Sequence, residues 1–265
     1  MKKIFYIAAV LIFLVSGCAA PSKDTAFQVS TIDALLAGVY DGEISCRQLL
    51  KHGDFGIGTF DCLQGEMVIL EGKVYQVKAD GKVYTPDISI KTPFATVCKF
   101  SKDRIIPLKP GSDYEAIENL INKHTPNRNL FYAIRIEGQF KSVRTRSVPG
   151  QQKPYPPLSE VTKNQPEFAM KNIAGTIVGF KCPAYVKGIN VPGYHLHFIS
   201  SDKTQGGHIL SLEITEGECE IDVLNLYSLA LPANTSAFSG TDLSKDRSKE
   251  LKSVEERKDL PAKER

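Results

Sequence analysis

Residues 56–85 read GIGTFDCLQGEMVILEGKVYQVKADGKVYT, and this stretch decides the fold class. Gly56–Cys62, Glu66–Leu70, Lys73–Lys78 and Lys82–Thr85 are short runs rich in β-formers, separated by Leu63-Gln64-Gly65, Glu71-Gly72 and Asp80-Gly81. A glycine after a polar residue supplies the backbone geometry of a tight hairpin turn, so the stretch predicts a meander of antiparallel strands. Towards the N-terminus, Thr31–Leu36 predicts a short helix ended by Gly38, and Ser45-x-x-Gln48 has the form of a capping box before Leu49-Leu50. Towards the C-terminus, Thr96–Ser101 reads as a strand. Ser112-x-x-Glu115 then caps a helix with Tyr114, Ile117, Leu120 and Ile121 on one face, ending near His124. Leu130–Arg146 reads as two strands broken at Gly138, and the Pro-rich stretch from Pro149 to Pro157 must be loop. Gly175–Phe180, Tyr194–Ile199, His208–Ile214 and Glu220–Leu226 are further strands, and the charged segment Thr241–Arg265 has the pattern of one sparse amphipathic helix. No fixed repeat is visible, which disfavours a solenoid. The sum is a β-rich α+β chain with a few short helices.

The composition agrees with a globular protein: 265 residues, 42% hydrophobic and 24% charged, which excludes collagen, coiled coil and disorder. The first 18 residues, MKKIFYIAAVLIFLVSGC, pair two lysines with an apolar run that is short for a membrane span. Their Val15-Ser16-Gly17-Cys18 ending resembles the bacterial lipobox. The expectation is therefore a signal peptide over residues 1–17, a tether over 18–30, and a globular domain over 31–265, exported and lipid-anchored to the bacterial cell envelope through Cys18. Removing residues 1–17 takes away two lysines, so the formal charge falls from +3 to +1. The remaining basic residues form no cluster interleaved with aromatics, which argues against nucleic-acid partners. Cys46, Cys62, Cys98, Cys182 and Cys219 form no C-x-x-C pair and read as buried small hydrophobes.

Three of the five histidines fall within fourteen residues, in Tyr194-His195-Leu196-His197-Phe198 and Gly206-Gly207-His208. On a strand, His195 and His197 point to the same face while Leu196 and Phe198 point to the other. The intervening polar, Gly-ended segment has hairpin composition, and an antiparallel register setting 197 opposite 208 brings the third imidazole beside the first two. Three neutral imidazoles converging on one point suit a divalent metal with positions left open for substrate. Glu66 opens its strand on the face of Val68 and Leu70, where a metal, an arginine or a raised pKa would each satisfy its carboxyl; a solvent-facing strand end is the other reading. Arg144 and Arg146 share a face, and either suits bidentate binding of a substrate carboxylate. His52 and His124 sit near predicted helix ends, where they can meet the last carbonyls.

These residues, together with Gly58-Thr59-Phe60, Gly65-Glu66-Met67, Thr92-Pro93-Phe94-Ala95, Arg146-Ser147-Val148-Pro149, Pro154-Tyr155-Pro156-Pro157-Leu158 and Gly193-Tyr194-His195-Leu196-His197-Phe198, resemble the α-acetolactate decarboxylases. The matching segments run in the expected order over nearly the whole chain after residue 30. The resemblance implies a β-rich fold of two mixed or antiparallel sheets, a homodimer, and a lyase converting (S)-2-acetolactate to (R)-acetoin and CO2 in acetoin and butanediol metabolism. It also implies that His195, His197 and His208 hold zinc or another divalent metal, that Glu66 lies close to it, that Arg146 contacts substrate, and that Thr59 lines the same pocket. A C-terminal glutamate approaches the metal in this family, and Glu255 is the better candidate here than Glu250.

The chemistry is consistent with those residues. A metal chelating the hydroxyl and ketone oxygens of a β-keto acid acts as a Lewis acid and stabilises the enediolate left by CO2 loss. Glu66 or the C-terminal glutamate is the candidate acid for the final protonation. No organic cofactor is needed. Two rival readings are a cupin-like metalloenzyme, which calls for a later Gly-rich strand motif that is absent and for an acidic ligand after three or four intervening residues beyond the second histidine, where Ser201 and Asp202 fall inside the expected loop, and a non-catalytic metal- or small-molecule-binding lipoprotein, which has no use for Glu66 and Arg146.

Overall fold

The computed structural model describes residues 23–233 and 235–255. The expected signal peptide and Cys18 lie outside the described residues, as do the last ten residues of the charged tail. Among the described residues no helix is long and apolar enough to cross a membrane.

In chain order the strands are β1 (Thr25–Val29), β2 (Ile44–Ser45), β3 (Phe55–Thr59), β4 (Glu66–Leu70), β5 (Lys73–Val77), β6 (Val83–Tyr84) and β7 (Lys91–Thr92), then β8 (Ala95–Cys98), β9 (Arg104–Leu108), β10 (Phe131–Arg146), β11 (Glu167–Cys182), β12 (Gly193–Ser200), β13 (Gly206–Leu224) and β14 (Leu226–Ala230). Helices are short: α1 (Ile32–Leu36), α2 (Cys46–Leu49), α3 (Tyr114–His124), α4 (Leu158–Val161), α5 (Ser236–Ser239) and α6 (Ser248–Glu255). The meander predicted over residues 56–85 is the right-hand half of a seven-stranded sheet ordered β14-β1-β8-β3-β4-β5-β6. Only its β1–β14 pairing is parallel, so the sheet is mixed. The second sheet is ordered β10-β11-β12-β13-β9, and because β10 also pairs with β13, strands β10 to β13 close on themselves. β2 and β7 form a separate two-stranded ladder.

The two sheets pack face to face. Phe55, Ile57, Val68 and Leu70 of the first meet Ala133, Val178, Phe180 and Ile199 of the second. The opposite face of the first sheet is also covered, with Phe27, Met67, Ile69 and Val97 against Cys46 and Leu49 of α2. Burial of such side chains contributes about 1.5–3 kcal/mol each. Coverage on both sides explains why every residue of β4 is buried, where a half-solvated strand would alternate.

Several local expectations need correction. Residues 25–29 belong to the domain instead of the tether, because β1 carries Ala26 on one face and Phe27 and Val29 on the other, and all three are buried in the two cores. Gly138 does not break a strand. β10 runs continuously, with Gly138 opposite both Gly175 and Gly217; a Cβ there would meet the Glu216 carbonyl at 2.2 Å, so the glycine serves close approach of strands. The two strands expected over 208–226 are one long strand, β13, and a separate β14. The cap of α3 is Asp113, whose side chain accepts from the Ala116 N–H, instead of Ser112. In the tail, helix occupies 236–239 and 248–255 with irregular chain between them. The capping box at Ser45 and Gln48 forms as predicted. Cys46, Cys98, Cys182 and Cys219 are buried free thiols and Cys62 is half-buried.

Candidate active site

The alternation of β12 sends Leu196 and Phe198 into the core beneath α3 and turns His195 and His197 towards the first sheet. The β12–β13 ladder has three pairs, His197 with His208, Phe198 with Gly207 and Ile199 with Gly206, which is the register expected from the hairpin composition. Gly207 adopts φ +130, and a Cβ there would lie 2.5 Å from the Arg146 carbonyl. Its lack of a side chain lets β13 close against β10 beside the site. The three imidazoles stand with ring centroids 5.1, 5.1 and 5.5 Å apart, and one ligand atom from each lies within 4.8 Å of the others.

The donor set fits a divalent cation. His197 Nδ1 lies 2.9 Å from the Met67 carbonyl, so it carries the proton and leaves Nε2 with a bare lone pair. That Nε2 is 3.2 Å from Nε2 of His195. Burial, with a smaller contribution from the Arg146 charge, lowers His195 to about 3. Burial likewise holds His197 and His208 well below the usual histidine range. Neutral imidazoles crowded nitrogen to nitrogen are what a cation needs.

Carboxylates flank the triad on two sides. Glu66, paired in register with Thr59 on the face that meets the second sheet, places Oε2 3.6 Å from His197 Nε2. Burial pushes its carboxyl up to about 7, opposed by Arg146 and reinforced by Glu255. Glu255, the last residue of α6, places Oε2 3.6 Å from His208 Nε2, and burial raises it too against the pull of Arg146. Glu250 pairs instead with Arg247 at 3.0 Å and stays out of the cavity. Thr59 donates its hydroxyl to the Gly65 carbonyl at 2.7 Å and lines the cavity.

Arg146 is 3% exposed. It donates to Gln165 Oε1 at 2.8 Å and to the Val254 carbonyl at 3.0 Å, and its Nη2 is 3.8 Å from Glu255 Oε1. A register irregularity near Phe140 sets its direction. Before it, even-numbered Tyr132, Ile134 and Ile136 face the core beneath α3; after it, odd-numbered Val143 does. The inversion turns Arg146 towards the first sheet, at the end of β10 where the strand meets the cavity. Arg144 lies 3.8 Å from Glu167, and it is absent from the cavity wall.

Thr59, Glu66, Arg146, His195, His208 and Glu255 line one cavity closed on its other side by Leu35, Leu63, Phe94, Leu158 and Val254, and His197 stands behind it against His195 and Glu66. An open cleft of about 770 Å³ between α3, the 184–192 loop and α6 meets it at His208 and Glu255. Gln165, the Met67 carbonyl and the Val254 carbonyl were invisible to sequence reasoning, since neither backbone groups nor an amide in a loop carry a spacing signal. His52 stacks on Phe27, and His124 ends α3, both outside the site.

Three imidazoles, a buried and a half-buried carboxyl and a buried guanidinium between two packed sheets define the class as a β-rich protein with a three-histidine group that could hold a metal ion. Residues 26–245 match the family model described as alpha-acetolactate decarboxylase. The chain belongs to that family, whose members are carboxy-lyases. It is 45% identical over 242 residues to the alpha-acetolactate decarboxylase of Methanosarcina mazei, covering 91% of this chain and 84% of that one. The Bacillus subtilis strain 168 enzyme is 42% identical over 230 residues, covering 86% and 90%. The crystal structure of alpha-acetolactate decarboxylase from that strain superposes with a TM-score of 0.85 at 41% identity, covering 88% of this chain and 99% of the other. A Staphylococcus aureus protein described as similar to alpha-acetolactate decarboxylase superposes with a TM-score of 0.83 at 30% identity, covering 87% and 99%.

Proposed function

We propose that the protein decarboxylates (S)-2-acetolactate to (R)-acetoin and CO2. The observation that carries the reading is the convergence of His195, His197, His208, Glu66, Glu255 and Arg146 on one buried cavity in a member of this family. His195, His197 and His208 would hold a divalent metal, for which we propose zinc, and the bound ion supplies Lewis-acid polarisation of the hydroxyl and ketone oxygens of the substrate.

The chain's own residues do the rest. Arg146 has five N–H donors and spends two on Gln165 and Val254. The others are free to hold the substrate carboxylate while the C–C bond breaks and the electron pair passes to the adjacent ketone. CO2 departs uncharged, and one proton must then be added at the former carboxyl-bearing carbon. A carboxyl that burial makes readier to hold its proton suits that task, and Glu66 and Glu255, both raised by burial, stand on two sides of the triad. The apolar wall excludes water that would compete as proton source.

Incubating the purified mature chain with racemic acetolactate tests the reading; zinc-loaded protein that forms no acetoin overturns it. We also propose export with lipid attachment at Cys18, supported by the apolar run and the lipobox-like ending, and a homodimer, supported by the family resemblance. Labelled fatty-acid incorporation lost in Cys18→Ser and a sedimentation mass of two chains are the expected results.

A further inference from the structure

The geometry points to Leu63 as the residue that limits the size of the substrate's alkyl substituent, an inference that rests on the decarboxylase reading. The cavity divides into a polar side, carrying the histidines, Glu66 and Arg146, and an apolar side that includes Leu63 and Phe94. A 2-hydroxy-3-oxo acid bound through its oxygens to the polar side must direct its alkyl groups at the apolar side. The free space is about 40 Å³, so the position of each wall side chain is decisive.

Leu63 differs from its neighbours in how it is held. It and Cys62 adopt φ of +57 and +58, two successive side-chain-bearing residues in the left-handed region, where the Cβ crowds the following carbonyl. Such conformations persist only where surrounding contacts enforce them, and they gather at functional sites. Here the enforcement is explicit. Cys62 N–H donates to the Tyr40 carbonyl at 2.9 Å, Gln151 N–H donates to the Cys62 carbonyl at 2.7 Å, and Gly65 N–H donates to the Leu63 carbonyl at 2.9 Å. Gln76 donates to the Gln64 carbonyl at 2.7 Å, and Thr59 closes the turn through the Gly65 carbonyl. With each of these peptide groups engaged, the turn between β3 and β4 cannot yield, and Leu63, 1% exposed, is a fixed wall between Thr59 and Glu66. An extra methylene in a fixed apolar pocket changes kcat/KM by about 10-fold to 200-fold.

The experiment compares kcat/KM for acetolactate and for its homologue with ethyl in place of methyl at the tertiary carbon. Wild type, Leu63→Ala, Leu63→Gly and the core control Leu108→Ala are assayed with metal content matched. Both position-63 variants are expected to raise the ethyl-to-methyl ratio by about 10-fold or more, and Leu108→Ala to leave it at the wild-type value. Leu63→Gly removes the same wall while relieving the left-handed backbone, so it keeps the test available where Leu63→Ala fails to fold. An unchanged ratio in a folded position-63 variant, or an equal rise in Leu108→Ala, overturns the assignment of Leu63 alone. Wild-type protein that turns over neither acid overturns the decarboxylase reading, and this inference with it.

Discussion

Replacing Arg146 with lysine tests the assignment of the substrate-binding cation. The guanidinium is held by Gln165 and the Val254 carbonyl, and it faces Glu255 at 3.8 Å. Lysine keeps the charge but offers a single nitrogen in place of a planar fork, so it cannot bridge Gln165 and Val254 and still grip a carboxylate at two points. A hydrogen bond to a charged group contributes about 1.5–3 kcal/mol. Losing one of two such bonds to substrate therefore predicts a fall in kcat/KM of about 10-fold to 150-fold for Arg146→Lys. Arg146→Gln, which removes the charge and both bonds, loses about 3–6 kcal/mol, a fall of at least about 100-fold. Because Arg146 is no donor to a metal, both variants should retain stoichiometric metal. Arg144→Ala should stay within about threefold of wild type, since that residue lies beside Glu167 outside the cavity. Acetoin formation and elemental analysis on the same preparations read the outcome. Arg146→Lys with wild-type kcat/KM, or Arg144→Ala with the larger loss, would refute the argument.

Further expectations concern the metal, the tail and the core. His197→Ala should lose bound metal and acetoin formation together, measured by elemental analysis and product assay; full metal stoichiometry in the variant would mean the site is placed wrongly. Glu255→Ala should lower kcat by about 100-fold or more as a proton-delivering carboxyl is lost, whereas Glu250→Ala should change it little, and equal effects would remove α6 from the chemistry. Asp222 is buried and its carboxyl is pushed from 3.8 up to about 6 by burial, with the Ser101 N–H opposing and Asp103 and Asp24 adding to the rise. Its folded form binds the proton more readily than its unfolded form, so the group costs nothing below pH 4 and up to about 3 kcal/mol above pH 7. Asp222→Asn should accordingly gain stability over wild type in urea titrations at pH 8 and lose that advantage at pH 4.5. A difference independent of pH would show that the carboxyl is already well solvated or paired.

What could be read from the chain was local. Hairpin turns at Glu71-Gly72 and Asp80-Gly81, the capping box at Ser45, and the shared face of His195 and His197 depend on residues a few positions apart, and backbone geometry fixes those relations before any packing occurs. The register of His197 on His208 was legible for the same reason, since a short polar hairpin leaves few alternatives. Misreadings arose where local pattern and long-range packing disagreed. Residues 25–29 look like linker because their polar flanks outweigh Ala26, Phe27 and Val29, yet two sheet partners and two cores claim them. Gly138 looks like a strand break but allows three strands to approach closely.

The sequence by itself determined a strand-dominated domain and a pair of imidazoles on one face, because a period of two needs only the pleat of a strand. Tertiary structure decided which groups join that pair. Glu66 and the Met67 carbonyl come from the opposite sheet, Glu255 from a helix beyond residue 247, and Arg146 rather than Arg144 because only the last residue of β10 reaches the cavity wall. None of these relations has a spacing along the chain. They exist because the two sheets bury their apolar faces against each other, and that burial leaves the polar groups between them only one another to meet.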